Sequence, residues 1–140
     1  YNVRMGDPEC QVIMPRLKTD LFKIISYSLK NQIKRLKLKW EFNKCMTIVL
    51  CSKGYPGNYN KGKIIRIKRI NDKKNLFIIH AGTKLNNSDI CSAGGRVLNI
   101  VCKGKSFIRI RKKIIKLIKK INWKYGFFRK DIGWRVINRK

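Results

Sequence analysis

RVLNIVC, residues 96–102, and KSFIRIRKKIIKLIKKI, residues 105–121, decide the fold class between them. The first stretch alternates with a period of two, the pattern of a half-buried strand. The second places Phe107, Ile110, Ile114, Leu117, Ile118 and Ile121 on one helical face, with Lys or Arg elsewhere. A strand running into an amphipathic helix predicts an α+β arrangement in which that helix covers a sheet.

Outward from this pair the strand signals continue. Residues 45–51 form a continuous apolar run, and Lys53-Gly54-Tyr55-Pro56-Gly57-Asn58 is a turn cluster. Residues 64–70 alternate partly with charge, 76–79 are apolar, and 88–92 are strand-like. Together they predict an antiparallel sheet or small β-sandwich. Upstream, residues 1–5 suit a strand and residues 6–8 a turn. Residues 10–29 suit a helix carrying Ile13, Leu17, Leu21, Ile24 and Ile25. Pro15 should kink or split that helix, and Thr19 is placed to cap its second part. The basic stretch 30–39 reads either as a lobe boundary or as an exposed helix end. The tail from residue 127 is broken by glycine and rich in aromatics, and no internal repeat is visible.

Composition bounds the partners. With 35 basic and 7 acidic residues among 140, the net charge of +28 is that of a nucleic-acid or anionic-membrane binder. Yet 24 Lys, 21 Ile and 12 Asn make up 57 of the 140 residues. All three are favoured by A/T-rich codons, so the charge is discounted as a sign of function. Hydrophobic content of 44% supports a core. The five cysteines, Cys10, Cys45, Cys51, Cys91 and Cys102, include no Cys-x-x-Cys pair and are joined by a single histidine. They read as small hydrophobes of a reducing compartment, and cytoplasm is the expected location. No run approaches the ~18 uncharged apolar residues of a membrane span. The basic helix at 105–121 has two readings: a membrane or phosphate-backbone surface, and the core face of a sheet-covering helix.

The N-terminal run NVRMGDPE, residues 2–9, carries candidate chemistry. On an extended strand Asn2 and Arg4 point to the same face, setting an oxygen ligand for a hard cation beside a planar fork for oxyanions. The other reading is a strand end, a turn and a helix start, since Asp7-Pro8-Glu9 is also a good capping sequence. A chain that opens inside such a motif, without methionine, is expected to be a piece of something larger.

Five blocks in order resemble one family. They are NVRMGDPECQ (2–11) with MPRLKTDL (14–21), SKGYP (52–56) with Tyr59 and Gly62, HAGT (80–83), GGRVL (94–98), and FRKDIG (128–133). The whole chain resembles the C-terminal third of the phosphoribosylamine–glycine ligases, ATP-grasp enzymes of purine biosynthesis. Departures are mild: Met5 stands where an aromatic or leucine is usual, and Ala93 where a small polar residue is common.

The resemblance implies an organisation and a reaction. Residues 1–38 would be the end of an ATP-grasp domain, and residues 39–140 a small, barrel-sandwich-like β-rich lobe covered by one amphipathic helix. ATP as substrate would phosphorylate the carboxylate of glycine, and the amine of phosphoribosylamine would displace phosphate to form the amide. Mg2+ or Mn2+ would bridge the phosphates, held by a Glu-x-Asn pair. Asn2 matches the asparagine, and the glutamate would fall immediately before Tyr1. Arg4 would hold the reacting carboxylate or acyl phosphate. Asp7 and Glu9 would orient glycine or the incoming amine, with helix capping as their other reading. Gly94, Gly95 and Arg96 would approach the ribose phosphate, or form a tight turn bearing a surface arginine. His80 is expected to be a hydrogen-bonded strand-end residue.

The partners implied are these small molecules and the N-terminal portion of the same enzyme, with no nucleic acid or membrane and a monomer at full length. The 140 residues alone are expected to be inactive. The competing expectation is a free-standing basic module binding nucleic acid through its Lys/Arg surface and Trp123, Tyr125, Phe127 and Trp134.

Overall fold

Strands bury apolar runs only when another apolar run lies opposite, and the runs around residues 48 and 100 are each other's partners. The computed structural model describes residues 3–68 and 74–138. Along the chain it places α1 (Cys10–Ile13), a 3-10 turn (Met14–Arg16), α2 (Leu21–Leu29) and a second 3-10 turn (Ile33–Arg35). Then come β1 (Lys44–Ser52), β2 (Arg66–Ile67), β3 (Leu76–His80), β4 (Thr83–Asn86), β5 (Asp89–Ser92) and β6 (Arg96–Gly104). The chain continues through α3 (Phe107–Ile118), β7 (Ile121–Asn122), β8 (Gly126–Phe127) and α4 (Trp134–Ile137).

The main sheet is antiparallel in the order β3-β6-β1-β8, with β2-β7 and β4-β5 as separate pairs. Met46 lies opposite Cys102, Ile48 opposite Ile100, and Leu50 opposite Leu98, so six apolar side chains share one face. The helix α3 lies on that face and buries Ile110, Ile114, Leu117 and Ile118. The fold is therefore mixed α+β with one amphipathic helix on a sheet, as the period change at residue 104 predicts. Burial of Ile114 and Leu117 removes the membrane-surface reading of this helix. Among the described residues no helix is long and apolar enough to cross a membrane.

Several expectations need correction. The strand at 96–102 is not half-buried: residues 97–102 are all buried, because β6 lies between β1 and β3 and both its faces are covered. The helix ends at Ile118 rather than at residue 121, and Ile121 instead pairs with Ile67, which gives its backbone a ladder partner. Thr83–Asn86 carries no strand signal in the sequence, yet forms β4. Asn87 and Ser88, at φ 44° and 71°, form a tight left-handed turn that folds β4 onto β5, so Ser88 belongs to the turn and not to the strand. Residues 3–5 lie in no strand, since none of the described residues offers them a ladder. Pro15 does split the first helix, into α1 and a 3-10 turn from which Leu17 leaves in an extended conformation. Asp20, not Thr19, caps α2 by accepting from the Lys23 N–H at 2.8 Å. Thr19 Oγ1 accepts from the Lys39 N–H instead, at 2.7 Å. Of residues 64–70, only Arg66–Ile67 is a strand, and residues 69–70 lie outside the described residues.

On the sheet face away from α3, the N-terminal segment packs over β1 and β6. Lys103 Nζ donates to the Pro15 carbonyl there at 3.3 Å. None of the five cysteines is in a disulfide; Cys91 and Cys102 are buried and the other three half-buried.

Candidate functional site

The site lies where β1 ends and β6 begins. Ser52, the last residue of β1, donates its N–H to the Gly95 carbonyl at 2.8 Å and its hydroxyl to the Gly94 carbonyl at 2.9 Å. From the other side, the Gly82 N–H donates to the Arg96 carbonyl at 3.0 Å, and the Ala93 N–H to the Gly82 carbonyl at 2.7 Å. Glycine is required here by close approach. A Cβ on Gly82 would lie 2.6 Å from the Arg96 carbonyl oxygen, and one on Gly95 would overlap the Tyr55 ring. Blocks 52–56, 80–83 and 94–96 are thus knitted into one surface.

The N-terminal block joins them through Arg96. Its guanidinium lies 3.3 Å from the Asp7 carboxylate and donates to the Asp7 carbonyl at 3.0 Å. The other Asp7 carboxylate oxygen accepts from Gln11 Nε2 at 2.7 Å. Glu9 turns back on its own segment and accepts from the Gly6 N–H at 2.9 Å, closing the turn that leads into α1. Arg4 is exposed and donates to the Met5 carbonyl at 3.3 Å. Asn2 lies outside the described residues.

The fifth block completes the arrangement. Arg129 pairs with Asp131 at 2.6 Å, and the hydrogen bond from Arg129 holds the Asp131 carboxyl below the usual carboxylate range. Arg129 and Ile132 close one side of a cavity of about 400 Å³ whose other walls are Pro8, Tyr55 and Pro56. Thr47, Val49 and Cys51 of β1 line it as well. Burial pushes the Cys51 thiol up, with Arg96 opposing, which favours its protonated form in the cavity wall. No motif marks these three residues, but period-two spacing in the run 45–51 puts them on one face. His80 accepts from or donates to Thr83 Oγ1 across 3.1 Å at the exposed end of β3, as expected of a strand-end histidine.

Of the residues singled out from sequence, Asp7, Gly94, Gly95 and Arg96 are brought together, Glu9 closes the adjacent turn, and Arg4 stands apart in solvent. Chemically the site offers a guanidinium–carboxylate pair at the edge of a largely apolar cavity. Among the described residues no three of His, Cys, Asp and Glu come close enough to hold a metal ion.

Comparison with known proteins is consistent across sequence and structure. Residues 45–135 match the family described as phosphoribosylglycinamide synthetase, C domain. The chloroplastic phosphoribosylamine–glycine ligase of Arabidopsis thaliana is 41% identical over 100% of this chain and 27% of its own length. The phosphoribosylamine–glycine ligase of Caldanaerobacter subterraneus is 42% identical over 95% of this chain and 31% of its own. The crystal structure of phosphoribosylamine–glycine ligase from Thermotoga maritima superposes with a TM-score of 0.71 at 28% identity, covering 94% of this chain and 32% of that one. The chain thus spans about a third or less of the length of these relatives. Matched by the family over most of the sheet and α3, the chain belongs to the phosphoribosylglycinamide synthetase C-domain family.

Proposed function

We propose that these residues are the C-terminal part of an ATP-dependent phosphoribosylamine–glycine ligase acting in purine biosynthesis in the cytoplasm, and that the whole enzyme works as a monomer. The observation that carries this reading is the meeting of parts of all five sequence blocks, around Asp7–Pro8, Ser52–Pro56, Gly82, Gly94–Arg96 and Arg129–Ile132, along β1 and the start of β6. Ordinary packing does not require five separate segments to converge there. In the reaction, the glycine carboxylate takes the γ-phosphoryl group of ATP and ADP leaves. The amine of phosphoribosylamine then attacks the acyl carbon, an amide bond forms, and phosphate departs with the C–O bond.

The division of labour follows the chemistry. Arg96, oriented by Asp7, is placed to bind a phosphate-bearing substrate by charge-assisted hydrogen bonds, with Gly94 and Gly95 allowing close backbone approach. Arg4 is free to turn toward an acyl phosphate. Glu9 acts through the backbone of Gly6 and keeps Asp7 in place. A divalent metal would supply charge neutralisation on the phosphates. The described residues do not fit such an ion by themselves; Asn2 with a carboxylate from a preceding segment would have to hold it. On this reading residues 1–38 complete an ATP-grasp domain and residues 39–140 form the β-rich lobe.

A nucleic-acid module is the weaker reading, since Trp123, one of its stacking candidates, is buried in the core. The test is direct. A longer polypeptide containing this sequence should release ADP and glycinamide ribonucleotide from ATP, glycine and phosphoribosylamine, while the 140-residue chain alone forms neither. Turnover by the short chain, or none by the long one, would overturn the proposal.

A further inference from the structure

The Arg96 guanidinium is tied to Asp7 at two points, its carboxylate at 3.3 Å and its carbonyl at 3.0 Å. How the guanidinium faces a ligand therefore depends on how Asp7 is held. Gln11 Nε2 donates to the Asp7 carboxylate oxygen that Arg96 leaves open, at 2.7 Å. An ionised carboxylate only accepts, so the amide must turn its NH2 group toward Asp7. The Gln11 carbonyl oxygen is buried and has no hydrogen-bond partner among the described residues, so no competing bond draws the amide elsewhere. Gln11 lies in α1, one turn after Asp7, and α1 packs on β1 and on β6, the strand that carries Arg96. The contacts thus close a ring, from β6 through Arg96, Asp7 and Gln11 back to β6.

We infer that Gln11 is a positioning residue for phosphate recognition, holding one oxygen of Asp7 so that the other oxygen and the Asp7 carbonyl fix the plane of the Arg96 guanidinium. In its choice of substrate, the ribose phosphate of phosphoribosylamine, the inference rests on the functional reading above. Without the Gln11 donor the Asp7 carboxyl is free to turn about its last bond and take the guanidinium with both oxygens, the arrangement that a carboxylate and an arginine favour. That pair draws the fork onto Asp7 and away from a phosphate. A recognition group needs its supporting contacts to stay within a narrow range of orientations, and Gln11 supplies one from a helix seated on the sheet.

The test uses Gln11→Met, which keeps the length of the side chain and removes the donor. In the 140-residue chain the Arg96 Nε–H signal of a proton–nitrogen NMR spectrum should move. The Arg129 Nε–H signal should stay, because Arg129 is paired with Asp131 instead. In a longer polypeptide containing this sequence, KM for phosphoribosylamine should rise about tenfold, while kcat and the KM for ATP stay within about twofold. Gln11→Glu, similar in shape but unable to donate when ionised, should raise that KM at least as far. In an Asp7→Ala background Gln11→Met should add less than about twofold, because it acts through Asp7. An unmoved Arg96 signal would overturn the inference, as would an unchanged KM for phosphoribosylamine or a loss confined to kcat. Full additivity of the Gln11 and Asp7 substitutions would also overturn it, since Gln11 would then act by another route. No turnover by the longer polypeptide in any form, with the Arg96 signal still displaced by Gln11→Met, would support the positioning while removing the functional reading.

Discussion

Between residues 3 and 45 no side chain is buried, whereas Met46 to Trp123 hold every core residue among those described. The two regions are equally rich in leucine, isoleucine and aromatics to the eye. What separates them is partnership. From β1 onward each apolar run faces another run or α3, and its burial removes water from both sides of the contact. In the N-terminal arm Phe22, Ile25, Leu29 and Phe42 are exposed and no residue is fully buried; half-buried side chains of α1 pack on β1 and β6, and the Arg96–Asp7 pair and the Lys103–Pro15 bond add polar ties. One region folds by its own core, and the other is positioned by attachment.

The sharpest test of this contrast pairs two truncations of large apolar side chains. Ile114→Ala should cost about 2–5 kcal/mol, because Ile114 is fully buried between α3 and the sheet and leaves a cavity. Phe22→Ala in the same 140-residue chain should change stability by less than about 0.5 kcal/mol. Urea denaturation of both variants measures it, and similar losses would erase the distinction.

Next in size is Gly95→Ala. The new methyl group meets the Tyr55 ring, and overpacking of this kind costs about 1–3 kcal/mol unless the ring swings away. Either outcome is visible, as a lowered denaturation midpoint or as an altered tyrosine environment in near-ultraviolet circular dichroism. A variant with neither change would mean that the 52–56 and 94–96 blocks are less tightly joined than the sheet beneath them.

How much of this was legible beforehand divides along the same line. The period change near residue 104 shows α3 and β6, because burial on one face leaves its mark in the sequence. The full burial of β6 is not legible, since RVLNIVC contains Asn99 and alternates as if one face were wet. The β4 strand is also hidden: TKLN has little apolar signal and depends on the Asn87–Ser88 turn. The meeting of Asp7 with Arg96, 89 positions away, cannot be read from spacing. Only the order of the family blocks suggests a shared site. Thr19 misleads as a cap because Asp20, one place later, competes for the same helix start.

Asn99 supplies a smaller test within the core. It is fully buried and neither its amide nitrogen nor its amide oxygen has a hydrogen-bond partner. Replacing such a group by an apolar one of similar shape removes a desolvation cost, so Asn99→Leu should be neutral or stabilise by up to about 1 kcal/mol. A clear loss would mean that the amide serves a partner that the core comparison overlooks. The thiol of Cys51 offers a chemical counterpart. Burial raises its pKa, so at pH 8 it should be alkylated by iodoacetamide more slowly than a peptide thiol. Because protonation is favoured in the fold, this contribution to stability is present below the ordinary thiol range and is lost as pH rises through the folded value.

A small expected change in stability is the most informative about the arm. Arg96 and Asp7 have side chains 42% and 40% exposed, so Arg96→Met should cost only about 0–1 kcal/mol. It should nevertheless free residues 6–9 from the sheet, because the same guanidinium also holds the Asp7 carbonyl. Hydrogen exchange at the amides of residues 6–13 should therefore accelerate while those of β1 and β6 stay unchanged. Such a separation places attachment and core stability in different residues of one chain. Equal acceleration in β6 would instead make Arg96 part of the core's own support and the arm an extension of the sheet.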